Sequence, residues 1–184
     1  MNKKGFTLIE LLAAILIMGI LFAISLPLIT NIINSNRSKV YITDAQRLVT
    51  LAEYNIRSKS SQIQLPSGGY SIVFTLDYLN TGEFKNSPYN GTYEQKKSFV
   101  VVKNTGTALE YSVMLIEKHM ESYRGILLTR RENLVDAKTK DYVKDYTLAS
   151  VDNSLSITEA SLASYINSRL GGGYVSGVSH IYQK

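Results

Sequence analysis

Glu10 asks for an explanation first. In the opening stretch MNKKGFTLIELL it stands five residues into an apolar run, and no ionisable side chain follows it until after Asn36. An acid inside a hydrocarbon layer is costly, and it marks a functional position whose partner has to be found. The other chemistry-bearing residues form no set. His119 and His180 stand alone, without the HxxxH or HExxH spacing that brings two imidazoles to one helix face, so no metal site is expected. The absence of cysteine removes thiolate ligands, disulfides and cysteine nucleophiles together. No GxSxG elbow is present, and Gly171-Gly172-Gly173 lacks the Lys-Ser/Thr of a phosphate loop. Neither a cofactor nor a catalytic set is expected, and the chain does not read as an enzyme.

The element that carries Glu10 must be a helix. Residues 11–36 are mostly Leu, Ile and Ala, and at about 1.5 Å rise per residue such a helix covers a hydrocarbon core of roughly 30 Å. A secretory signal would account for Lys3, Lys4 and a passable cleavage site at Ala23-Ile24-Ser25. The apolar run nevertheless continues through Leu26, Leu28, Ile29, Ile32 and Ile33, and Glu10 is left without a reason. A plain anchor, with Lys3 and Lys4 cytoplasmic and the rest outside, fits length and orientation. It leaves Glu10 unexplained, along with Pro27, which has no N–H to offer the Ala23 carbonyl.

All of these residues agree with one pattern. KGFTLIELL resembles the amino-terminal signature of type IV prepilins: a short basic leader ending in Gly, then Phe, then an acid at the fifth position after the cut. The resemblance implies a membrane peptidase that cleaves between Gly5 and Phe6 and methylates the new amino terminus of Phe6. It sets Glu10 at the family's glutamate, and Gly19 and Pro27 at its helix glycine and helix-loosening proline. The implied division is a leader at 1–5, a transmembrane and assembly half-helix at 6–36, an amphipathic half at 37–60 and an extracellular β-rich head at 61–184. The implied partners are other pilins and further copies of this chain, the prepilin peptidase, an assembly platform with its ATPase, and the membrane. The precursor would sit in the cytoplasmic membrane with its head outside, and the assembled subunit in a cell-surface pilus.

Cleavage gives Glu10 its cation. The intact Gly5–Phe6 amide is neutral, whereas the freed amine is protonated at neutral pH and remains cationic when methylated. The attraction of two unit charges in close contact is comparable with the cost of burying the acid, so an ammonium offsets the burial. That amine could belong to the same chain or to a neighbour. The family precedent is a neighbour's, which would make Glu10 the residue that sets axial register.

After Asn36 the pattern turns amphipathic. Tyr41, Ala45, Leu48, Ala52 and Ile56 recur at three and four residues, which places one helix over residues 7–60 with its second half against a head. Strands are expected at 70–74, 98–103, 109–117 and 125–129, the middle two as a hairpin around Thr105-Gly106-Thr107. A short helix is expected at 75–81, and Ser87-Pro88-Tyr89-Asn90-Gly91 as a loop. Ser156-Ile157-Thr158-Glu159 offers a capping box for a helix to about residue 170, with Gly171 at its end. Residues 130–155 are ambiguous, and the last residues hold a loop and a final strand. The fold class is α+β and pilin-like: a long amino-terminal helix on an antiparallel sheet, with an extra helix near the carboxyl terminus. That helix, and the lack of a disulfide, depart from a minimal pilin head.

The balance of charge and tyrosine adds little. The net charge of +5 is mild, and Lys138, Lys140 and Lys144 alternate with Asp136, Asp141 and Asp145. A nucleic-acid site would concentrate its basic residues in one stripe, so nucleic acid is the disfavoured partner. The 13 tyrosines, in a chain without tryptophan, suit half-buried sheet positions better than base stacking. Asn36 and Asn90 each begin a glycosylation sequon, a motif common by chance. The function expected is a structural pilus subunit, major or minor. Its rivals are a pseudopilin of a type II secretion or DNA-uptake system, and an adhesive or DNA-binding tip subunit whose loop at 86–93 would carry the contact.

Overall fold

The computed structural model describes residues 7–80, 82–134, 142–147 and 158–184. The chain divides into two compact units, Met1–Arg37 and Ser38–Lys184. Helix α1 (Leu8–Ser58) runs through both, close to the 7–60 expected. In the first unit its Leu, Ile, Met and Phe side chains are bare in the single chain. In the second, the stripe read from the sequence is the buried one: Tyr41, Ala45, Leu48 and Ala52 are fully buried, and Ile56 packs beside them.

Among the described residues of the second unit, seven strands make one sheet. They are β1 (Tyr70–Thr75), β2 (Thr92–Tyr93), β3 (Phe99–Asn104), β4 (Leu109–His119), β5 (Ser122–Arg130), β6 (Lys144–Tyr146) and β7 (Gly177–Tyr182). The order is β6-β5-β4-β3-β1-β7, with β2 added on β4. Every pairing is antiparallel except β1 with β7, which is parallel. The expected hairpin is β3–β4, closed by Thr105 N–H donating to the Ala108 carbonyl at 2.9 Å. The short helix expected after β1 is α2 (Leu76–Leu79), with Thr81 outside the described residues.

Both faces of the sheet are covered, which is why β1 is buried from its second residue onward instead of alternating. Ile72, Phe74, Val100, Val102, Val113, Leu115 and Ile126 meet α1. Val73, Phe99, Val101, Met114 and Ile116 meet a second layer made by α3 (Glu159–Leu170), through Leu162 and Ile166, and by Tyr174, Val175 and Val178. The cap of α3 differs from the expected Ser156 box. Ser156 and Ile157 lie outside the described residues, and the N-cap is Thr158, whose side chain accepts from Ser161 N–H while Ser161 Oγ returns to Thr158 N–H. In the ambiguous 130–155 segment the described residues hold a 3-10 turn (Arg131–Leu134) and β6.

Leu127 and Leu128 of β5 stand opposite Met114 alone, a bulge that bends β5 beside β4. Gly125 is required there, because a Cβ would stand 2.2 Å from the Leu115 carbonyl oxygen and 2.8 Å from the Tyr41 hydroxyl. The Tyr41 hydroxyl uses that space to donate to the carbonyls of Leu115 at 3.1 Å and Arg124 at 3.2 Å, pinning α1 to the sheet.

Candidate functional site at the amino-terminal helix

The start of α1 is built by two side chains. Thr7 is the residue before the helix, and its N–H and hydroxyl both donate to Glu10 Oε2, at 2.8 and 2.7 Å. Glu10 N–H returns a longer bond of 3.4 Å to Thr7 Oγ1. This is a reciprocal capping box, in which each side chain satisfies an amide that the helix start leaves free. Glu10 is the one ionisable residue between Thr7 and Asn36, and here its carboxylate is held at the positive end of the helix by Thr7. The signal was present in the sequence as Thr-x-x-Glu, but the apolar residues around it draw attention to burial rather than to capping.

Gly5 and Phe6, the expected cleavage and methylation residues, lie outside the described residues, as do Lys3 and Lys4. Gly19 and Pro27 both lie within α1, which continues through the proline. A Cβ on Gly19 would meet nothing within 4 Å, so no described residue of this chain requires glycine there. Around Pro27, Ser25 and Thr30 turn their hydroxyls back onto the carbonyls of Leu21 and Leu26, at 2.7 and 3.0 Å.

The surface that follows Glu10 is apolar all round. Its most apolar 18-residue window has a mean hydropathy of 2.7, long and apolar enough to cross a membrane. Leu12, Leu16, Phe22 and Leu26 are each more than half exposed, an apolar surface far larger than a water-soluble chain leaves uncovered. It needs lipid or other chains of similar character. In chemical terms the first unit can insert and pack, and it carries one hydrogen-bonded acid at its end.

The described residues of the second unit offer no comparable arrangement. Among the described residues no group of His, Cys, Asp and Glu could hold a metal. His180 packs edge-on against Tyr182 at 4.4 Å between ring centroids, and His119 ends β4. A pocket is lined by Glu53, Glu110, Tyr111, Arg130, Arg131, Glu132 and Tyr174, and the Tyr174 hydroxyl donates to Glu110 Oε2 at 3.0 Å. Arg131 pairs with Glu53, Arg130 lies 3.6 Å from Glu132, and the Tyr174 ring has Lys103 at 4.1 Å and Arg130 at 4.8 Å. Several tyrosines serve the core: Tyr41, Tyr93 and Tyr123 are buried, and Tyr41 and Tyr93 pack edge-on at 5.4 Å. Sequence reasoning missed Glu117, which β4 carries fully buried beneath residues 85–93. Alternation along Val113, Leu115 and Glu117 places it on the α1 face, a signal legible in the strand.

Comparison with protein families finds one match: residues 1–26 fit the prokaryotic N-terminal methylation motif, the type IV prepilin signature. Neither the characterised proteins nor the solved structures give a match.

Proposed function

From a chain that carries the type IV prepilin signature on residues 1–26, we propose a structural subunit of a type IV pilus. It is cut between Gly5 and Phe6, methylated at Phe6 and polymerised through α1. The signature supports a pilin-like or pseudopilin-like protein in general, with a structural role, a membrane-anchored precursor, processing by the prepilin peptidase and assembly with other pilins. The observation that carries the finer reading is the continuity of that signature with a bare apolar helix that begins at a capped acid.

The mechanism follows from the helix start. The cut removes the leader and leaves Thr7 and Glu10 together on the mature chain, so the box lowers the cost of carrying the acid into lipid. On assembly, the ammonium of Phe6 in a neighbouring subunit competes for the same carboxylate. Leu and Ile side chains of sister helices then replace lipid, at about 0.8 kcal/mol per buried CH₂. Cohesion comes from that burial, and register comes from the single acid. Gly19 and Pro27 loosen the helix so that it can be repacked in the filament.

Glu10→Ala tests this. Cleavage and membrane insertion should match the wild type, while filaments recovered from the cell surface fall to background. Normal filaments from that variant would overturn the role given to Glu10.

A further inference from the structure

Register sets four side chains in a row across β2, β4, β5 and β6: Tyr93, Glu117, Arg124 and Asp145. Glu117 is fully buried, and neither carboxylate oxygen has a hydrogen-bond partner among the described residues. Arg124 Nη1 is 4.0 Å from Glu117 Oε1, but its Nε is committed to Asp145 at 2.6 Å. An ionised carboxylate in this position would be desolvated and poorly paired.

Residues 85–93 close over it. A Cβ on Gly91 would stand 2.8 Å from the Glu117 carboxyl carbon, so the lid lies directly on the acid. The Tyr89 ring lies over the Arg124 guanidinium at 4.4 Å, and its hydroxyl hydrogen-bonds Ser38 Oγ at 2.7 Å. Tyr93 donates to Asp44 Oδ2 at 2.8 Å. Ser38 and Asp44 belong to the head segment of α1, so the same residues that cover Glu117 also clasp the helix.

We propose that residues 85–93 form a pH-dependent latch on α1, closed while the Glu117 carboxyl is protonated and loosened when it ionises. The groups that face the carboxyl are Tyr41 from α1, Tyr93 from β2, Arg124 from β5 and Asp145 from β6. Tyr89 of the latch lies beyond Arg124, and Asp44, with Arg47 at 3.9 Å, lies beyond Tyr93. Burial raises both the Tyr41 and Tyr93 phenols, so neither supplies charge near neutrality. One cation is left to serve the acids of this row. Burial pushes the Glu117 carboxyl up to about 7, Arg124 draws it down, and Asp145 adds to the rise. A carboxyl raised in the closed state stabilises closure fully below its ordinary value of 4.5. That stabilisation drains away as pH climbs from 4.5 to about 7, and nothing more is lost above. On ionisation, relief comes from water entering beneath the latch or from Arg124 swinging off Asp145 toward Glu117, and either movement disturbs the seat of Tyr89.

The experiment is amide hydrogen exchange on the full chain in detergent micelles, comparing residues 85–93 with β3 and correcting for intrinsic chemistry. From about pH 5 to about pH 8.5, protection of 85–93 should fall about tenfold or more while β3 holds steady. Glu117→Gln should abolish the fall. Asp145→Asn gives a second arm, moving the midpoint to lower pH because it frees Arg124 for Glu117. Equal latch protection at both pH values in the wild type would overturn the proposal, as would a wild-type fall retained in Glu117→Gln or an unmoved midpoint in Asp145→Asn.

Discussion

Thr7 and Glu10 show how much one pair of side chains decides. A carboxylate that would be expensive in an apolar helix is satisfied within one turn by the N–H and hydroxyl of Thr7. Removing the hydroxyl while keeping the side-chain shape separates capping from packing. Thr7→Val is predicted to leave the chain processed and membrane-bound, but to raise amide exchange in the first turn of α1 by about fivefold, the scale of a lost N-cap. Exchange in residues 41–52 should not change. Glu10 was legible in the sequence because an acid in an apolar run violates a physical rule. Thr7 was written there too, in the Thr-x-x-Glu spacing, but a threonine in such a run violates no rule and draws no attention.

At the scale of elements, the head is a sheet with a helix on each face. Ile166 on α3 is fully buried against the second face. Ile166→Ala should lower the stability of the head by about 2–5 kcal/mol, read by denaturant unfolding of the full chain in detergent, with processing unchanged. Leu162 and Ile166 were legible as an i, i+4 pair, and α1 from its three-and-four spacing. The β3–β4 hairpin announced itself through β-branched runs around a glycine turn. The short strands did not: β2 has two residues and β6 three, too few for alternation to register. The parallel partner of β1 was hidden as well, because β7 arrives from more than a hundred residues away and no local pattern encodes a distant neighbour. Because both faces are covered, β1 is buried from its second residue onward and no exposed side marks its inner face.

For the whole molecule, the two units have opposite surface characters that suit one life cycle. The first exposes apolar side chains along α1 up to Ile33, and the second buries its own around the sheet. In the proposed pilus subunit, lipid and then sister helices would cover the first, while the second stays in solvent. Register set by Glu10 requires a cut after Gly5, because the freed amine then gives Glu10 a cation across a subunit boundary. The direct test is the intact mass and first residue of the protein recovered from the cell envelope, with and without the prepilin peptidase. The account predicts a chain beginning at N-methylated Phe6 when the peptidase is present and the uncut chain when it is absent. A chain that keeps its first five residues in both, or one that begins at Leu26, would contradict it.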